Sequence, residues 1–338
     1  MPGCVKPCPG IFMIRSAGYE GVFAEMKHYG KKLIAMLLTL LGVSFIVFAA
    51  FEIIPGDPAL SKLGDNATPE ALAALRAQMG LDRPFLLRYL DWLGDCLKGN
   101  LGESYSYHMP VIRMIGDKLP ITLTMTILSM LLTLLISVPA GVLLSKYAYS
   151  KFDRAGYVAN QFLMAIPSFF LGILLTWFFG LILKWFTPGG YVSYKKDFWA
   201  FLSYLFLPSI AIAIPKCAMS IKLLRSAILA EADKDYVRTA YSRGNSTMEV
   251  LYRHVLKNAM IPLVTFWGMA VADTIAGSIV VEQVFNIPGL GRILLTSISH
   301  RDYPVVEAVI LLIAFVVVLM NFIVDLLYRR LDPRMRKG

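Results

Sequence analysis

Apolar runs of membrane length alternate with polar stretches along most of the chain. Leu33–Ile54, Leu119–Ser145, Tyr157–Phe186, Phe198–Leu224, Ala259–Val281 and Tyr303–Tyr328 are each long enough to cross a hydrocarbon layer, which takes about 20 apolar residues. The pattern predicts an all-α membrane protein with six transmembrane helices. Pro208 and Pro215 fall inside the fourth run, so that helix is expected to be kinked or broken. Pro55-Gly-Asp-Pro58 turns the chain out of the first run.

Two polar stretches carry structure of their own. Within 55–118, Thr68-Pro69-Glu70 reads as a helix start, with an N-cap, a proline at the first helical position and an acid in the first turn. Gly80 ends that helix. Leu86, Leu90, Leu93 and Leu97 then form one stripe of an amphipathic helix over Pro84–Lys98, expected to lie against the membrane or the spanning helices. The second stretch, 225–258, separates the fourth and fifth runs. Six charges between Glu231 and Arg243 keep it out of lipid. A short helical pattern stops at Gly244 and Pro262 opens the next span, which gives helix, stop, second helix, membrane. It is either a solvated connector or a loop that offers a small helix to something beside the membrane.

Composition agrees with the membrane reading and adds an orientation. The chain is 57% hydrophobic with a mean hydropathy of +0.61, above the range of soluble domains. The formal charge of +10 would suggest nucleic acid in a soluble protein. Here it follows the positive-inside rule, and no nucleic-acid partner is implied. Segments 1–32, 146–156, 225–258 and 329–338 carry 19 Lys and Arg in 87 residues, against 12 in 105 for the segments on the other side. Both termini and the 225–258 loop are therefore expected in the cytoplasm. The segment 55–118 is then extracytoplasmic, and 329–338 is a basic cytoplasmic tail. Residues 1–25 are Pro/Gly-rich and lack a signal-peptide core. They are expected to be a disordered extension, or Met26 is the true start.

Candidate chemistry is sparse. Gly94-(four residues)-Gly99-Asn100 lacks the lysine of a P-loop, and no HExxH, GxSxG or complete GxGxxG occurs. Cys4-x3-Cys8 has no second pair, and the four histidines are far apart. No enzyme, cofactor or metal site is expected in this chain.

The loop carries the most specific signal. Asp235-Tyr-Val-Arg-Thr-Ala-Tyr-Ser-Arg-Gly244, continuing through Arg253-His254 and Lys257-Asn258-Ala259 to Ile261-Pro262, resembles the EAA loop of ABC-importer permeases. It is closest to the B-type subunits of the dipeptide/oligopeptide/nickel branch. His254 and Lys257 depart from the general EAA pattern as that branch does. Further blocks support the resemblance: Gly80-Leu-Asp-Arg-Pro84, Trp92-Leu93, Gly99-Asn-Leu-Gly102 (with Asn100 for the usual Asp), and Val281-Glu-Gln-Val-Phe285 with Pro288-Gly-Leu-Gly-Arg292. Together they span roughly Met26–Arg336, divided into a first helix with its extracytoplasmic segment (26–118) and a five-helix permease core (119–328).

The resemblance implies a multi-pass permease of a bacterial or archaeal cytoplasmic membrane, surrounded by lipid. Implied partners are a second, homologous permease, two ATP-binding subunits carrying ATP–Mg, and an extracytoplasmic solute-binding protein. A coupling helix around Arg238–Gly244 would rest in a groove of the ATPase, with Tyr236, Arg238, Thr239, Ala240, Arg243 and Gly244 as coupling residues. The cargo would be peptide, with nickel or another metal chelate as the alternative. A proton- or sodium-coupled secondary transporter is the rival from another class. Lys216 and Asp273 lie within the fourth and fifth spans. Each either pairs with a polar neighbour, or Lys216 snorkels, or both line the translocation path. Met164, Phe169, Phe170, Trp177 and Phe178 on the third span read as lipid contact and helix packing.

Overall fold

The computed structural model describes residues 10–53, 58–63, 68–78 and 81–331. Helix α1 (Gly10–Ile53) is followed by α2 (Pro58–Leu63), α3 (Pro69–Gln78) and α4 (Phe85–Leu97). The core comprises α5 (Val111–Lys146), α6 (Lys151–Ala165), α7 (Ser168–Leu175, continued by a π turn over Thr176–Ile182) and α8 (Phe198–Ala232). Next come α9 (Asp235–Ser242), α10 (Thr247–Val250), a π turn over Leu251–Val255, α11 (Leu256–Val284), α12 (Leu290–Ser299) and α13 (Tyr303–Leu331). The described residues contain no strand, only an isolated bridge between Glu103 and Pro110.

Among the described residues, five helices are long and apolar enough to cross a membrane, or six if the bent pair α6–α7 counts as one span. That pair corrects the expectation of one helix over 157–186, because its halves meet at 96°. Pro167 is the cause. A residue before proline is pushed out of the helical region, and Ile166 is extended at φ −82°, ψ 121°. Conversely, α8 runs through Pro208 and Pro215 without the expected break. It lies along α5, and beside Pro208 the Ser209 hydroxyl donates to the Met125 carbonyl at 3.3 Å. The contact ties α8 to α5 beside the proline. Pro262 likewise lies inside α11 rather than opening the span.

At the N-terminal end α1 begins at Gly10, further back than an irregular 1–25 segment would allow. The prolines of that segment, Pro2, Pro7 and Pro9, all precede Gly10, so nothing in 10–25 interrupts a helix. Residues 1–9, the 55–58 turn apart from Pro58, Gly80 and the tail beyond Leu331 lie outside the described residues.

The polar segment packs on the far end of the bundle from α9. The Thr68 hydroxyl caps α3 by accepting from the Ala71 amide at 3.2 Å. Helix α4 turns Phe85, Tyr89 and Trp92 onto Phe45 and Phe48 of α1. The Arg88 guanidinium donates twice to Glu52 at 2.8 and 2.9 Å. The leucine stripe faces away, with Leu86, Leu90 and Leu97 exposed.

Two buried acids fasten the same end. Asp302 accepts from the Ser104 hydroxyl and from the amides of Tyr105 and Ser106. Glu282, fully buried, accepts from the Thr122 hydroxyl at 2.6 Å and the Arg292 amide at 3.0 Å. This explains the glycines of the Pro288-Gly-Leu-Gly-Arg292 block. A Cβ on Gly289 would meet the Glu282 carboxylate at 2.5 Å, and one on Gly291 would meet the Ile279 Cα at 2.3 Å. Backbone cannot give way as a side chain can, so Gly291→Ala is expected to lever α12 off α11 at a cost of about 1–3 kcal/mol. Thermal unfolding of the purified protein in detergent measures this. An unchanged midpoint would mean that α12 is free to back away.

Candidate functional site: a coupling loop and an intramembrane ion pair

The loop between α8 and α11 is ordered by its own apolar residues. In α9, Val237 and Ala240 are buried against Leu224, Ile228, Val250 and Leu251. The helix is thus seated on the ends of its neighbours. Arg238, Thr239, Tyr241, Ser242 and Arg243 remain exposed, and they form the face available to another molecule. The helix covers Asp235–Ser242, a few residues earlier than Arg238–Gly244. Gly244 stops it at φ +83°, a left-handed conformation that costs a residue with a side chain about 1–2 kcal/mol. Its amide donates to the Tyr241 carbonyl at 2.9 Å, and the Asn245 amide group donates to Ala240 O at 3.0 Å.

A polar cluster around the buried Glu231 fixes α9 to both spans. Glu231, at the end of α8, accepts from the Tyr236 hydroxyl at 2.8 Å and from Asn258 Nδ2, in the first turn of α11, at 2.9 Å. Lys234 pairs with the same carboxylate. Burial, together with the Glu231 charge, pushes the Tyr236 phenol above its ordinary pKa, so it stays a donor. Nothing in the spacing of the sequence marked Glu231 or Asn258 as partners, since 27 residues separate them. The π turn falls on Leu251–Val255 and includes His254 and Arg253, which pairs with Glu249 at 2.6 Å. Such turns recur at functional positions.

Lys216 and Asp273, identified separately as intramembrane charges, meet: the Lys216 ammonium pairs with the Asp273 carboxylate. The pair borders a cavity of about 270 Å3 that also reaches Ala165, Ile166, Pro167 and Ser168 at the break between α6 and α7. Lys216 is mostly covered, with 14% of its side chain exposed, whereas Asp273 is 74% exposed. Nearer the α9 end, Asp153 of α6, 4% exposed, takes two bonds from Arg225 of α8, at 2.7 Å from Nε and 2.6 Å from Nη2. It also accepts from the Tyr149 amide at 2.8 Å. The hydropathy pattern gave no sign of this latch. Of the two remaining helix-end acids, Glu52 pairs with Arg88 and Asp325 with Lys32.

A bundle of membrane-length helices, one broken in mid-course, with a seated helix at one end, is that of a multi-pass membrane protein. The chain belongs to the family of binding-protein-dependent transport system inner membrane components, whose model matches residues 137–337 and whose N-terminal model matches 26–126. It is 35% identical to the oligopeptide transport system permease AppB of Bacillus subtilis, over 87% of this chain and 94% of that protein. It is 35% identical to the glutathione transport system permease GsiC of Salmonella choleraesuis, over 90% and 97%. It is 32% identical to the dipeptide transport system permease DppB of Alkalihalophilus pseudofirmus, over 90% and 98%. Among solved structures, the inward-facing MetNI methionine ABC transporter shares the fold. Its TM-score is 0.53 and its identity 18%, over 65% of this chain and 97% of that chain.

Proposed function

We propose that the chain is the permease subunit of an ATP-driven importer of small peptides, forming half of the translocation path beside a second, non-identical permease. The seated, outward-facing α9 carries this reading: a helix locked to two spans transmits a displacement that a loose connector would absorb. Of two ATP-binding subunits carrying ATP–Mg, one docks on Arg238, Thr239, Tyr241 and Arg243 of this chain, and the other on the sister permease. Ala240 and Tyr236 hold the helix in place from beneath, and Gly244 ends it. The α6–α7 pair is one span, so there are six spans and both termini lie in the cytoplasm, in keeping with the Lys/Arg bias. Lys216 and Asp273 line the path. An extracytoplasmic binding protein delivers the cargo at the α4 and α12 end. Peptide is favoured as cargo by the names of the relatives.

Mild-detergent purification of the tagged protein from native membranes, with mass spectrometry of what accompanies it, tests the assembly. Two ATP-binding subunits and a sister permease are the expected companions. A chain recovered without any ATPase would favour an ion-coupled secondary transporter, with Asp273 in the ion path.

A further inference from the structure

The geometry points to a receptor for the two charged ends of a zwitterionic peptide, built from Lys216, Asp273 and the break between α6 and α7. It deepens the importer reading above and rests on it.

Depth and exposure give the first argument. Lys216 lies near the middle of α8, and Asp273 touches it, so both charges sit deep within the apolar layer. A pair that served packing alone would be covered on both sides. Here the ammonium is held in the wall and the carboxylate stands open, 14% against 74% exposed. An open carboxylate at that depth is too costly to face lipid. It faces a polar path.

The helix ends give the second argument. The cavity of about 270 Å3 that holds the pair is also lined by Ala165 and Ile166, where α6 stops, and by Ser168, where α7 begins. The first end presents carbonyl groups with partial negative charge and the second presents amides with partial positive charge. The residue before α7 is Pro167, which supplies no side-chain cap. One wall thus offers two complementary halves. Asp273 and the end of α6 suit an ammonium, while Lys216 and the start of α7 suit a carboxylate. Without cargo, Lys216 and Asp273 neutralise each other. A peptide with free termini replaces one ion pair by two and leaves the net charge unchanged, whereas a singly charged ligand leaves one wall charge unpaired.

The test is a thermodynamic cycle on the assembled complex in nanodiscs, without the binding protein. Saturation-transfer NMR gives Kd for triglycine, N-acetyl-triglycine and triglycinamide. With the wild type, each blocked end is expected to weaken binding about tenfold, the scale of one lost charge contact. In Lys216→Gln, amidation should have no further effect while acetylation keeps its own. In Asp273→Asn the two should be reversed. These variants remove one charge while keeping a polar side chain of similar length, and membrane insertion of each is verified before the titrations. Equal penalties in variants and wild type, or no binding of triglycine to the wild type, would overturn the proposal. ATP-dependent uptake by the complete wild-type system is measured in parallel. Its absence counts against the importer reading itself; its presence without the cycle counts against the pair alone.

Discussion

Gly244→Pro is expected to leave the protein inserted in the membrane with ATP hydrolysis uncoupled from transport, so that uptake falls to background. Two local facts give the size of the effect. Gly244 sits at φ +83°, which proline, fixed near −65°, cannot adopt. Its amide also donates to the Tyr241 carbonyl at 2.9 Å, and proline has no amide hydrogen. The last turn of α9 must therefore unwind, and the exposed face of Arg238, Tyr241 and Arg243 loses its setting. The spans, anchored by separate apolar clusters around Phe201 and Val305, have no reason to follow.

Ala240→Glu should give the same uncoupling by a different route from the one its place in the motif suggests. Ala240 is 4% exposed and faces Val237 and Leu251, not the surroundings. A carboxylate there cannot stay buried unpaired, so it pushes α9 off its seat. ATPase and uptake assays on the same proteoliposomes check both variants. Normal uptake in both would show that α9 does not transmit the stroke.

The second large effect concerns stability. Arg225→Ala strips both side-chain donors from Asp153, whose side chain is 4% exposed and whose carboxylate then keeps the Tyr149 amide at the start of α6. Leaving one partner of a buried pair uncompensated costs about 3–5 kcal/mol. In a chain of this size that lowers the unfolding midpoint by roughly 4–7 °C. Lys195→Ala on the exposed Lys195–Asp117 pair is the control, since solvent already screens that contact. Equal shifts in the two variants would mean that Asp153 finds water or another donor. Because the latch joins α6 to α8, its loss should also free the bent span.

Much of this protein was legible in its residues. Lipid admits few backbone arrangements, so apolar length alone located the long helices α1, α5, α8, α11 and α13. The cap at Thr68 and the stop at Gly244 were equally readable, because both are set by neighbours within a few residues. The Asp235–Pro262 motif announced the family before any coordinates. The prolines marked the limit of local reading. Pro167 and Pro215 look alike in sequence, yet one bends its span by 96° and the other sits in an unbroken helix. What differs is how the surrounding fold accommodates each proline, which lies outside any local window.

The same holds for the polar groups. Lys216 and Asp273, 57 residues apart, could each be flagged as costly in lipid, but not as partners. Asp153 with Arg225, Glu231 with Asn258, and Glu282 with Thr122 lie 72, 27 and 160 residues apart. Hydropathy and spacing record how far a residue prefers water and what its near neighbours do. Which distant donor relieves a buried charge depends on how helices cross. That crossing is fixed by side-chain volume at places such as Gly291, where an added Cβ would meet the Ile279 backbone.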